Sequence, residues 1–439
     1  MAADSPVTYR RIFRLWVPLA ATWLMMSVEG TFLAALIARL DEPTFNLAAY
    51  GVALAFALIV EAPIIMILSA ATALVRDYES FRKLRNFSYT LNLLITLGML
   101  LVLWRPVFSW LSQDVLALPG PVATLTHRAL ALLLPWPAAI GYRRFYQGIL
   151  IRAELTRRVA YGTAVRVVSM AATALILYTF FALPGALIGA SALSAGVVLE
   201  SIATRLMALG LPERLKSRPA GEHLSYGRIF DFYIPLALTS IISLAVHPMV
   251  TFSLGQSRLP LESLAVYPVV TSLTFIFRSM ALSYQEVAIT LLDGTRDNFR
   301  RISRFAAVLG IAATLGLLVI ALTPLAGVWF RYVAGLSEEL AELSILPLRL
   351  FCFIPFFSVL LAFQRSILVV FGRNTRPITV ATVVEVVGIV SLLVLTIRVF
   401  DLVGVVGAVI ALFGGRLLGN TYMMFPVYFV LKLAGVYPR

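Results

Sequence analysis

The sequence predicts an all-α membrane protein of about twelve transmembrane helices, arranged as two six-helix bundles. Three observations predict it. The 439 residues are 60% hydrophobic and only 13% charged, with a mean hydropathy of +0.91, whereas a soluble domain carries about a quarter charged residues. The apolar residues come in runs of about 20 or more, enough to cross roughly 30 Å of hydrocarbon. The two halves of the chain also repeat one another. This composition excludes an ordinary soluble enzyme and a disordered chain.

Read between charged connectors, the spans fall near 12–38, 46–75, 87–111, 121–150, 160–182, 185–210, 228–254, 261–292, 303–330, 338–371, 377–399 and 402–431. Residues 1–210 form an N-lobe of helices 1–6, 211–227 a polar cytoplasmic linker, and 228–439 a C-lobe of helices 7–12. The first eleven residues have no cleavable-signal pattern, so the first span is expected to stay in the membrane as an anchor. Pro63 in the second span and Pro355 in the tenth each remove a backbone donor and allow a bend. Spans longer than about 25 residues imply tilt or kinks.

The formal net charge is +14, and most of the cations are arginines spread over short connectors. One alternating set of connectors is strongly basic, with Arg10, Arg11 and Arg14, then Arg76, Arg82, Lys83 and Arg85, Arg152, Arg157 and Arg158, Arg214, Lys216 and Arg218, Arg296, Arg300, Arg301 and Arg304, and Arg373 and Arg376. The other set holds mainly Arg39, Arg105, Arg258, Arg331 and Arg398. The positive-inside rule puts both termini in the cytoplasm. The charge therefore reads as membrane orientation, with no nucleic acid as partner. Trp104, Trp110 and Trp329 fall near the outer ends, where aromatic belts sit. Cys352 is the only cysteine, which excludes an internal disulfide and a cysteine-based metal cluster. No cofactor is expected. The arginine-over-lysine bias fits a bacterial source, and the chain is expected as a monomeric, multi-pass protein of the inner membrane.

The repeat is collinear. RIFRLWVPLAAT from Arg11 matches RIFDFYIPLALT from Arg228, an offset of 217, and Leu47-Ala48-Ala49-Tyr50 matches Leu264-Ala265-Val266-Tyr267. Phe81-Arg82-Lys83 and Thr96-Leu97-Gly98 match Phe299-Arg300-Arg301 and Thr314-Leu315-Gly316 at offset 218, and GALIGA from Gly185 resembles GVVGA from Gly404. Six helices per half bring both halves in from the same side, so the repeat is parallel. That architecture suits alternating access, with a substrate site near the midplane between the lobes. The sequence holds no zinc HExxH, GxSxG elbow or Walker-type phosphate loop, and no enzyme is expected.

Ionisable residues at membrane depth are costly and mark function by default. Glu61 lies mid-span beside Pro63, and Glu29 lies in the outer third of the first span. Glu61 reads either as a proton or sodium site or as half of a gating salt bridge, to Arg278 for example. At offset 217 the C-half carries Arg278 opposite Glu61, and His247 next to the position opposite Glu29. Arg278 is a fixed cation suited to a carboxylate or phosphate ligand, or else to a structural pairing. His247 offers an imidazole, or simply a hydrogen bond to a neighbouring helix. Arg349 faces the cavity or snorkels outward. Tyr50, Tyr267 and Tyr284 supply hydroxyls to a cavity, Tyr50 and Tyr267 by repeat symmetry, or else anchor at the interface or pack in the core. Glu200 with Arg205, and Glu385 with Arg416, read as helix-to-helix pairs, and Arg143, Arg144 and Arg365 as snorkelling residues.

PLAxT in the first span, Glu29, LAAYG at 47–51 and Ala62-Pro63 together resemble the progressive ankylosis (ANKH-like) family. So do Pro235-Leu236-Ala237-Leu238, His247-Pro248, Tyr267-Pro268-Val269 and Pro347-Leu348-Arg349 in the second half. The resemblance covers most of the chain and implies the MATE/flippase (MOP) superfamily, with a V-shaped cavity between two lobes and export of small anions of the pyrophosphate, nucleotide and citrate class. It carries over Glu29 and Arg349. The chain departs from the family at His247, where the motif has arginine, at Glu61, and in lacking a long C-terminal tail.

The expected function is thus a secondary transporter exporting a small organic or phosphorylated anion. Arg278, Arg349, His247, Tyr267 and Tyr50 would bind it, and Glu61 and Glu29 would couple H+ or Na+ or gate the lobes. The rivals are a MATE-type multidrug or organic-cation antiporter and a lipid-linked saccharide flippase.

Overall fold

The computed structural model describes residues 7–37, 39–115, 118–217, 224–372 and 375–435; Arg218 and Arg373, and with them parts of two basic connectors, lie outside them, as does the middle of the expected linker. The regular elements are helices. In the first half they are α1 (Tyr9–Ile37), α2 (Pro43–Glu61), α3 (Ile67–Leu74), α4 (Tyr78–Leu103), α5 (Arg105–Ser109), α6 (Gly120–Leu132), α7 (Pro135–Arg152), α8 (Thr156–Phe180), α9 (Gly185–Met207) and α10 (Leu211–Lys216). The second half continues with α11 (Tyr226–Gly255), α12 (Pro260–Leu291), α13 (Arg296–Leu322), α14 (Leu325–Val328), α15 (Glu338–Phe351), α16 (Ile354–Phe371), α17 (Arg376–Val394) and α18 (Gly404–Leu433).

Among the described residues, ten stretches are long and apolar enough to cross a membrane, where twelve spans are expected from sequence. One difference has a local cause. The span expected at 121–150 is broken at Leu133 and Leu134, because Pro135 cannot donate to the preceding turn. Its second part, α7, also carries Arg143, Arg144 and Arg152. Helix α1 is 29 residues long, about 43 Å at roughly 1.5 Å per residue. Arg10, Arg11 and Arg14 occupy its first turns, and beyond them Glu29 is the one charge up to Ile37. The prolines bend the chain where expected. Helix α2 gives way at Pro63 to a tight turn over Ala62–Ile64, and Cys352 and Phe353 separate α15 from α16 just before Pro355.

The helices gather into two compact units. One runs Ala21–Tyr233; the other joins the chain up to Ala20 to Ile234–Arg439. Each has its own apolar core, around Leu33, Ala53, Ala129, Trp136 and Val197 in the first, and around Leu254, Leu273, Phe330, Phe351 and Ala408 in the second. The chain changes unit within α1 and again within α11, and at no point in the polar connector between the halves.

The exchanged segments are anchored by equivalent residues. In one unit Trp16 donates from Nε1 to the Ser283 hydroxyl at 3.0 Å and the Met280 carbonyl at 3.4 Å, and its ring lies 6.0 Å from Phe305. In the other, Tyr233 donates to the Pro63 carbonyl at 2.6 Å and its ring lies 5.1 Å from Phe87. Trp16 and Tyr233, Pro63 and Met280, and Phe87 and Phe305 are repeat partners at the offsets read from sequence. The same symmetry holds elsewhere. The amide of Ala186 donates to Asn46 and that of Val405 to Ser263, and both Glu42 and Leu259 take the left-handed conformation just before a helix-opening proline. Because the Pro63 carbonyl loses its buried donor, Tyr233→Phe is expected to destabilise the protein by about 1 kcal/mol, read as a lower melting temperature in detergent. An unchanged melting curve would mean that water replaces the phenol there.

Candidate functional site

In the unit formed by residues 21–233 the polar core is an ion-pair network between helices. Glycines let α8 and α9 approach, for a Cβ on Gly196 would meet the Arg166 carbonyl at 3.1 Å and one on Gly162 the Thr204 hydroxyl at 3.1 Å. Glu200 of α9 is fully buried between them. Its carboxylate accepts from Arg143 and Gln147 of α7, the latter at 3.2 Å, and from Thr163 of α8 at 3.1 Å. Arg143 and Gln147 are four residues apart and so share one helix face. Arg166 lies 3.8 Å from Glu200 and donates to Glu29 of α1 at 2.5 Å. Glu61 is buried in the same unit, and Arg144 acts on it most strongly, followed by Arg143 and Arg166.

In the other unit the polar core has a different balance. Arg416 of α18 pairs with Glu385 of α17 at 2.9 Å, and Arg365 of α16 donates to Thr382 at 3.2 Å. Arg278 of α12 feels Arg416, Glu385 and Tyr267. Among the described residues, Glu385 is the one carboxylate acting on Arg278 and Arg365, and it is also the partner of Arg416. The Nε atoms of Arg278, Arg365 and Arg416 are buried without a hydrogen-bond partner among those residues.

The internal repeat explains the asymmetry. Thr163 and Thr382 are equivalent, and so are Arg166 and Glu385. The first half puts the base on α8 and the acid on α9; the second puts the acid on α17 and the base on α18. Glu61 and Arg278 are reversed in the same sense. At these two pairs of equivalent positions the repeat carries opposite charges.

No family model and no curated protein sequence matches the chain. Solved structures do. The eukaryotic MATE transporter AtDTX14 superposes with a TM-score of 0.77 over 98% of this chain and 98% of its own, at 16% identity. A mutant of the Vibrio cholerae MATE transporter VcmN gives 0.75 over 97% and 96% at 15% identity. The fold is that of the MATE transporters. A MOP superfamily transporter from Pyrococcus furiosus, described by the reverse polarity of its binding pocket and a suggested different function, gives 0.72 over 96% and 96% at 16% identity.

Within this MATE fold the sequence-predicted residues separate by unit. Glu29, Glu61 and Tyr50 lie in one, with Tyr50 packed against Gly189 and within the field of Glu29 and Arg166. Arg278, Tyr267 and His247 lie in the other; Tyr267 is buried, His247 is exposed, and Arg278 acts on both. Arg349 is not among the charges acting on Arg278. It is exposed, donates from Nε to the Ala321 carbonyl at 3.3 Å, and lines a separate cleft.

Three expectations about the charges are corrected. Arg143 does not snorkel, because it is buried against Glu200. Glu200 does not pair with Arg205, which lies five residues on and about 140° around the helix; Arg205 instead stacks over the Tyr146 ring at 4.9 Å. Arg365 joins the cation cluster rather than reaching for the interface. The expected pair of Glu385 with Arg416 is present. Sequence reading missed Arg166, whose signal is its position inside the fifth expected span.

Proposed function

We propose that the chain is a secondary membrane transporter, not an enzyme, that moves a small organic or phosphorylated anion by alternating access. The observation that carries this reading is the cation excess in one unit, where Arg278, Arg365 and Arg416 cluster about Glu385. Buried charge of one sign calls for a counter-charge, and guanidiniums favour the paired oxygens of carboxylates and phosphates. Arg278, with Tyr267 and His247 beside it, would hold the substrate. The reverse polarity described for the Pyrococcus furiosus transporter supports the idea that this fold accepts such a site. Kinship with the progressive ankylosis family, and hence the citrate, pyrophosphate or nucleotide class, rests on the collinear motifs. The 6+6 repeat and the basic connectors support a multi-pass protein of a bacterial plasma membrane with cytoplasmic termini.

A multidrug or organic-cation antiporter is the second reading, favoured by the buried Glu61 and Glu29 and by a neighbour described as a multidrug resistance transporter. Against it, Glu29 is already ion-paired to Arg166. Exchange of labelled citrate and pyrophosphate in proteoliposomes, with an organic dye cation as control, separates the two. Saturable anion exchange supports the anion reading. Dye flux driven by a proton or sodium gradient, without anion flux, replaces it.

A further inference from the structure

A cleft of about 340 Å³ opens at the end of α13 remote from the basic connector at Arg296–Arg304. Thr323 follows α13, Val328, Arg331 and Tyr332 come from α14 and the turn after it, and Ile345 and Arg349 come from α15. Arg349 reaches the cleft because helix side chains lean towards the N-terminus of their own helix, and α15 begins at this end. Its Nε is held by the Ala321 carbonyl, and no described residue accepts from its terminal nitrogens. Among the described residues Arg331 is held by Glu338 alone, at 3.0 Å, with both side chains well exposed. Such exposed pairs are weak and exchange readily.

The surroundings of the two arginines are apolar. Leu325, Val328, Tyr332, Val333 and Leu346 are all exposed at this end of the unit. In water such a rim is unfavourable, but against acyl chains it is covered. Two guanidiniums beside an apolar rim match a group that is anionic at one end and hydrocarbon at the other. We propose that this cleft binds the phosphate group of an anionic membrane lipid, with Arg331 and Arg349 on the phosphate oxygens and the acyl chains along Leu325, Val328 and Leu346. Guanidiniums bind phosphate by paired hydrogen bonds, and interfacial cations attract anionic headgroups. By the positive-inside expectation the site faces the outer leaflet. Glu338 competes with the lipid for Arg331. The cleft is lined by Arg331 and Arg349 but not by Arg278, Tyr267 or His247, so the lipid and the transported anion are held by different residues.

The test is native mass spectrometry of the purified full chain after equilibration with equal amounts of phosphatidylglycerol and phosphatidylcholine. The wild type is expected to retain phosphatidylglycerol several-fold over phosphatidylcholine. The Arg331→Gln/Arg349→Gln double variant should lose that preference, and the corresponding double lysine variant should recover part of it. Glu338→Gln should increase the preference, a gain that a misfolded protein does not produce. Equal retention of the two lipids by the wild type, or an unchanged preference in the double glutamine variant, overturns the proposal. Inorganic phosphate is added as a competitor to identify the source. If it binds in an Arg331- and Arg349-dependent way while no lipid preference exists, the lipid source is overturned and a soluble phosphate is the occupant.

Discussion

Arg278→Ala is expected to lower anion exchange in proteoliposomes by about 30-fold or more, because truncating one partner of a desolvated charged contact costs about 2–5 kcal/mol and every 1.4 kcal/mol is about tenfold. The protein should still fold. Arg278 has a buried Nε with no partner among the described residues, so its removal leaves no stranded acceptor there. Arg278→Lys keeps the charge without the planar fork and should fall between wild type and alanine. Full exchange by the alanine variant would remove Arg278 from the substrate site. Loss of exchange together with a collapsed melting transition would instead make it a structural residue.

Glu200→Gln should act in the opposite way, on stability before transport. The carboxylate takes hydrogen bonds from Arg143, Gln147 and Thr163 and lies beside Arg166. The amide keeps the shape and strands two buried guanidiniums with Glu29 as the remaining paired acid. Breaking a buried ion pair from one side costs about 3–5 kcal/mol, so the melting temperature in detergent should fall sharply. The double variant Arg143→Gln/Glu200→Gln should lose less than the sum of its singles, since it removes both charges of the pair. Additive losses would show that the two residues do not depend on each other.

Much of the fold is legible in the sequence because its causes are local or periodic. Long apolar runs give the spans, Pro63 and Pro355 give the breaks, and the match of RIFRLWVPLAAT to RIFDFYIPLALT gives the repeat. Pro135 is as plain a signal as those two, but the apolar run around it masks the break and makes two helices read as one span. The candidate site is less legible, since partners are chosen across helices. Spacing along α9 suggests Glu200 with Arg205, but the face that Glu200 presents is set by which helices surround it, and these bring Arg143 and Arg166. The pair of Glu385 with Arg416 is readable because α17 and α18 are consecutive and each carries one charge away from its ends, of opposite sign, in an apolar span. Arg349 stands out by its motif, whereas the lean of its side chain along α15 decides where its charge ends up.

The changes of unit within helices at Ala20 and Tyr233 bear on how the protein is made. During synthesis the first unit cannot complete its packing when its own half has emerged, because Phe87 still awaits Phe230 and Tyr233, which are translated later. The segment up to Ala20 waits longer still. Val7, Trp16 and their neighbours find Asn298, Ser283 and Phe305 only after α13 has been inserted. Domains usually fold as units during synthesis, N-terminal first; here the chain's beginning belongs to the unit that is finished second. Half-chains cut in the connector near residue 217 should therefore be short-lived apart and accumulate only when produced together. The residues translated first are among the last to be packed.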